Sequence, residues 1–95
     1  MGTITRDTAR TFVVGQGTAS GTAAALTSST ANATKGVVII PASTNTGIIE
    51  AGLVGVTYGT GVVVPSAGLT IPVEDASIIY LIASGAGQDY SYMIV

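Results

Sequence analysis

This chain has no histidine, no cysteine and no tryptophan. Beyond Lys35 it also has no lysine and no arginine, so residues 36–95 carry no positive side chain. Each absence removes a class of chemistry. Without cysteine there is no disulfide and no thiolate metal site. Without histidine the usual proton shuttle and the commonest metal ligand are missing. Without arginine or lysine the larger part of the chain has no clamp for phosphate. Charged residues make up 8% of the chain, against roughly 25% in ordinary soluble domains. A 95-residue chain forms one small domain. With so few charges it would be poorly soluble alone, which implies that much of its surface is covered by copies of itself or by a larger assembly.

What is present is β-branched. After Lys35 come short runs of valine and isoleucine cut by glycine and proline: GVVIIPA, GIIEAG, GVVVP, GLTIPV, SIIYLIAS and DYSYMIV. Runs of this kind, closed by Gly, Pro, Asn or Asp, read as strands and turns. Val37–Ile40 is a strand that Pro41 ends or turns at an edge. Ser43–Gly47 is a turn, and Ile48–Ala51 the next strand. Gly55–Tyr58 is a short piece leading to Gly59-Thr60-Gly61, and Val62–Val64 stops at Pro65. Leu69–Val73 alternates, with Pro72 marking an edge position. Glu74-Asp75-Ala76 is a polar corner. Ile78–Ala83 has the pattern of the most buried strand, and Tyr90–Val95 closes the chain. Turn signals at roughly 8–12-residue spacing predict an all-β fold, a small antiparallel β-sandwich or barrel, jelly-roll-like.

Residues 1–35 have another texture, rich in Thr, Ala, Ser and Gly. Only Phe12-Val13-Val14 and the stretch around Leu26 offer anchors. The reading is an extended N-terminal arm over 1–35 and a β-sandwich body over 36–95, the arm ordering only against a neighbour. Gly15-Gln16-Gly17-Thr18-Ala19-Ser20-Gly21 has GxGxxxG spacing rather than the dinucleotide GxGxxG, and no βαβ unit follows. It reads as a flexible linker.

The formal net charge is −2, and its sign is segregated. Arg6, Arg10 and Lys35 precede Gly36, whereas Glu50, Glu74, Asp75 and Asp89 follow it. Three cations are too few for a nucleic-acid footprint. Arg6 and Arg10, with the hook Phe12-Val13-Val14, suit docking on an acidic neighbour. Glu74 and Asp75 are adjacent at a corner, where they accept backbone N–H bonds more readily than they hold Ca²⁺. Serines and threonines abound, but none has a histidine to activate it, and Lys35 is the only lysine. No catalytic residue, metal ligand or cofactor site is assigned, and the chain reads as a non-enzyme. Tyr80, Tyr90 and Tyr92 are assigned to a subunit interface, where tyrosines are enriched. Stacking on sugar rings is another use of such residues, and a strand face half packed on the core is the plain alternative. The first 30 residues show no secretory leader, and no window approaches the ~18 apolar residues of a membrane span. The expectation is synthesis in the cytoplasm and no membrane partner.

From Lys35 onward the pattern resembles small β-domains of phage virion proteins: capsid decoration (cement) proteins, head fibres and tail-associated modules. The residues carrying the resemblance are Asn45-Thr46-Gly47, Gly52, Gly55-Val56-Thr57, Pro65-Ser66-Ala67-Gly68, Leu69–Val73 and Glu74-Asp75. Ile79–Ser84, Gly85-Ala86-Gly87 and Tyr90–Val95 complete it. Because the module is almost the whole chain, it is more similar to a decoration protein than to a fibre. The resemblance implies a homo-oligomer, a trimer favoured over a dimer, on the outer capsid surface of a virion assembled in the host cytoplasm. It implies the major capsid protein as partner, with Arg6, Arg10, Phe12, Val13 and Val14 docking on the shell. A receptor- or glycan-binding head-fibre or tail module is the alternative.

Overall fold

A computed structural model describes residues 13–27, 33 and 35–95. Eight strands run through them: β1 Val13–Ala19, β2 Ala24–Ala25, β3 Val37–Pro41, β4 Ile49–Gly52, β5 Val62–Val63, β6 Leu69–Ile71, β7 Tyr80–Ala83 and β8 Gln88–Ile94. A single 3-10 turn, Ala76–Ile78, precedes β7. The strands form two four-stranded antiparallel sheets, ordered β1-β8-β3-β6 and β2-β7-β4-β5. Consecutive strands alternate between sheets early and late in the chain, which is the double-sheet jelly-roll arrangement. The all-β, sandwich-type fold read from the glycine-punctuated runs is therefore the fold adopted.

Side-chain alternation builds the core. In β3, Val37 and Ile39 are completely buried, whereas Ile40 is exposed. Ile49 and Ala51 of β4 and Leu81 and Ala83 of β7 face them from the other sheet, within one buried cluster. Pro41 lies past the end of the β3–β6 ladder, where a missing N–H costs least. Pro72 follows β6, an edge strand. The turn Pro65–Gly68 closes with Gly68 N–H donating to the Pro65 carbonyl at 2.9 Å.

The division at residue 35 is corrected. β1 pairs with β8 over seven residues, from Val13 opposite Ile94 to Ala19 opposite Gln88. β2 pairs with β7, and Ala19, Leu26 and Ala33 belong to the buried cluster. Residues 13–27 are thus part of the sandwich within a single chain, and Gly15–Ala19 is strand rather than linker. The physical reason lies at the far end of the sequence. A segment poor in large apolar side chains is ordered by Tyr90 and Tyr92, which supply the bulk it lacks. Residues 1–12 lie outside the described residues. The short piece Gly55–Tyr58 joins no strand and leads through turns to Gly61. The predicted strand Ile78–Ala83 begins two residues late, because the 3-10 turn occupies Ala76–Ile78.

Candidate functional site

The sandwich has two long seams, one between the edge strands β1 and β2, the other between β5 and β6. At the first, Gly15 and Gly17 stand opposite Tyr92 and Tyr90 in the ladder. A Cβ on either glycine would overlap the ring across from it. The missing side chains let both rings lie over β1 and point into the interior. The Tyr90 hydroxyl donates to the Leu26 carbonyl at 3.0 Å, and the Tyr92 hydroxyl to Thr27 Oγ1 at 2.9 Å. The rings sit 6.4 Å apart and tilted by 38°. They bridge from one sheet to the segment after β2 and so close this seam. Burial, and secondarily the neighbouring Tyr92, pushes the Tyr90 phenol above the usual tyrosine value.

This geometry locates the tyrosines assigned to an interface. Tyr90 is 6% exposed and belongs to the core, so its interface assignment is corrected. Tyr92 is half-buried and packs against that core. Tyr80, half-buried, stands opposite Ala25 and Gly52 in the other sheet. Of the docking residues, Val13 and Val14 open β1 and are 37% and 61% exposed. Arg6, Arg10 and Phe12 lie outside the described residues.

The second seam is open. A groove of about 330 Å³ runs between β5 and β6, lined by Leu53, Val62, Leu69, Ile71, Val73 and Ile78 among others. No charged residue lines it. Val62 stands opposite Ala51, whose side chain is in the core, so Val62 also faces inward. It is nevertheless 61% exposed, because no side chain covers the edge. Leu53 and Val54, at 66% and 76%, extend the apolar surface. At one end of the groove Val73 leads into Glu74 and Asp75, both exposed. Asp75 caps the 3-10 turn. The Ser77 hydroxyl and then the Ser77 backbone N–H donate to its Oδ1, at 2.6 and 2.9 Å, and hold the carboxyl below the usual aspartate value.

Glu50 is the one acidic side chain buried among the described residues. Alternation places it on the outer face of its sheet, beside Ile82. The loop after β4 folds over it, and the Gly59 and Gly61 N–H groups donate to its Oε1 at 2.8 and 3.1 Å. Gly59 holds φ +97°, a conformation that suits glycine and turns its N–H inward. This carboxylate organises a loop.

A second polar knot ties the other end of the sandwich. Asn45 Nδ2 donates to the Asp89 carbonyl and Asp89 N–H to Asn45 Oδ1, both at 2.8 Å. Thr18 Oγ1 donates to Asp89 Oδ1 at 2.8 Å. Gln88, also buried, accepts from Gly47 N–H at 2.7 Å. A cleft of about 460 Å³ beside this knot is lined by Gln16, Gly17, Thr18, Ala42, Asp89, Tyr90 and Ser91, with no cation among them. Among the described residues no three acidic, histidine or cysteine side chains group as a metal site, and no helix is long and apolar enough to cross a membrane. Buried side-chain polar atoms there all have partners.

Sequence reasoning missed the Glu50 clamp and the open seam. The clamp had a signal, an acid inside the apolar run Ile48–Ala51 followed by the glycines 59 and 61. The seam had none, since Val62 and Val63 read like any buried strand. Comparison with known proteins finds no matching family model, no matching curated protein and no matching solved structure.

Proposed function

We propose that this protein is a non-catalytic structural module of a phage virion. It is a capsid decoration protein that forms a homo-oligomer, trimer favoured, and binds the outer shell by bridging major capsid subunits. The observation that carries this reading is the open seam, an apolar groove with exposed Leu53, Val54 and Val62 on a chain with very few charges. Exposed apolar surface of this kind marks protein contact rather than chemistry. The polar side chains point the same way. Glu50 and Gln88 hold loops of the chain itself, and the Asp89 carboxylate accepts from Thr18 of the paired strand β1. The resemblance of residues 35–95 to virion β-domains supplies the assembly. The jelly-roll architecture occurs in capsid and in sugar-binding domains alike, so it favours neither. Against the glycan-binding alternative, the Tyr90 and Tyr92 rings pack over β1 glycines.

Stabilisation works by mass action, since a cap that binds only the assembled shell lowers the free energy of that shell. The test is binding of purified protein to undecorated phage heads. The expected result is saturation at many copies per particle and a shell that resists heating better. A few copies per particle would favour the receptor- or glycan-binding module. No binding at all would overturn the decoration reading.

A further inference from the structure

The four edge strands are VVGQGTA, AA, VV and LTI, and none carries a charged residue. Edge strands exposed to water are ordinarily protected by charges, inward-pointing lysines or prolines, because unpaired N–H and C=O groups invite another chain. Here Pro65 and Pro72 flank the β5/β6 side, whereas β1 itself, Val13–Ala19, carries neither a charge nor a proline. The two sides are also unlike. The β1/β2 seam is closed by its own tyrosines, and the β5/β6 seam is an unfilled apolar groove.

We infer that copies of this chain join head to tail, the β1/β2 edge of one against the β5/β6 seam of the next. This inference rests on the proposed structural role only in expecting copies to assemble. Strand directions permit the join in both sheets at once. Each sheet is antiparallel throughout and has four strands, so its first and last strands run in opposite directions. Placing β1 of a second copy beside β6 therefore continues the alternation, and so does placing β2 beside β5.

Register adds charge complementarity. Val13, Ile94, Val37 and Ile71 lie in one row across the first sheet. If the sheet continues in register, Val13 of the second copy meets the row of Ile71. In sequence Arg10 stands three residues before Val13, and Glu74 and Asp75 follow Ile71 by three and four, so the join puts the cation-bearing end of one copy's β1 at the carboxylate-bearing end of the next copy's seam. Val13 is thereby assigned to a neighbouring copy rather than to the shell. A contact between two different surfaces closes into a ring when its rotation allows, and otherwise grows a filament.

The experiment uses two variants of the full chain. Val13→Glu places a charge on the β1 edge, and Val62→Glu places one in the seam. Both positions are exposed in the single chain. Native mass spectrometry of the wild type should show a closed oligomer. Each variant alone should be monomeric at micromolar concentration, association weakened on the order of a hundredfold by the buried charge. Mixed together, the two should form a one-to-one heterodimer and nothing larger, since each still carries the surface the other lacks. Hydrogen exchange of the wild type, free of any folding defect in a variant, should show protection of 13–19 and 69–71 rising together with concentration. A wild-type monomer, a mixture that stays monomeric, or a symmetric dimer protected at one edge only would overturn the inference. Binding of phage heads by a monomeric wild type would overturn the contact while leaving the decoration reading in place.

Discussion

The two seams of this sandwich solve the same packing problem in opposite ways. On the β1/β2 side the strand is nearly bare, two of its seven residues being glycine, and the bulk comes from tyrosines of β8. The phenol hydroxyls then bond across to Leu26 and Thr27, so the interior is shut by the chain itself. On the β5/β6 side the strands are short and apolar, and the interior between them stays open. There the loop after β4 is held by a carboxylate, Glu50, gripping two glycine amides. The contrast teaches that glycine serves both devices, admitting a ring on one side and bringing backbone N–H groups to an anion on the other. It also separates what holds the fold from what is left for a partner.

The largest expected effect tests the carboxylate side. Glu50→Ala removes the acceptor of two charge-assisted bonds in a buried place and leaves the Gly59 and Gly61 N–H groups without it. The loss should be about 2–4 kcal/mol in urea unfolding. Glu50→Gln keeps one acceptor oxygen and should lose roughly half as much. Amide exchange at Gly59 and Gly61 should accelerate in both variants. A neutral Glu50→Ala would mean that the loop is held by something else.

Next comes the tyrosine side. Gly17→Ala forces the new methyl into the Tyr90 ring, which is buried and tethered by its hydroxyl. We expect a loss of about 2 kcal/mol from overpacking and the displaced hydrogen bond. Gly21→Ala is the control, because no atom lies within 4 Å of its Cβ position. It should change stability by less than about 0.5 kcal/mol. Equal effects at the two glycines would remove the interlock as an explanation of how β1 is ordered.

Tyr90→Phe is gentler and has a pH signature. Losing the bond to Leu26 should cost about 1 kcal/mol at neutral pH. The phenol is raised in the folded protein, so its contribution is fully present below the unfolded tyrosine value of about 10 and is lost as pH rises through the folded one. Thermal melts of the native protein should therefore fall more steeply in alkali than those of Tyr90→Phe. Parallel curves would mean that the ring is not held protonated by burial.

The strand runs were legible because β-branched clusters between glycines and prolines have few other uses. Val37–Ile40, Ile48–Ala51 and the Pro65–Gly68 turn fell within a residue or so of the observed elements. The place of residues 13–27 was not legible. Their order depends on Tyr90 and Tyr92 arriving from more than sixty residues away, and local composition carries no trace of that pairing. Exposure was equally hidden. Val62 and Leu81 are alike in sequence, but one ends at an open edge and the other sits between two paired strands. The polar corner at Glu74-Asp75 was legible as a corner, and its hydrogen-bonding role followed from the short side chain of Asp75.

The smallest effect belongs to that corner, where the open seam ends. Asp75 is exposed, so its influence on global stability is slight, but its titration is informative. Ser77 donates to its Oδ1 from both hydroxyl and backbone, which lowers the folded pKa. A lowered carboxyl contributes stability that is present above its unfolded value and lost as pH falls through the folded one. Carbon-detected NMR titration of the dilute protein should place Asp75 below the usual aspartate value, and Ser77→Ala should move it upward by removing the larger of the two causes. Asp75→Asn still caps the 3-10 turn, so it should keep the fold while flattening the acid limb of the melting curve. Raising the protein concentration then separates the two seams. If an arginine of a neighbouring copy reaches this end of the groove, Asp75 should titrate lower still in the assembled form, whereas Tyr90 of the closed seam should stay where it is. An Asp75 titration unchanged between dilute and concentrated protein would leave the corner as a cap and nothing more.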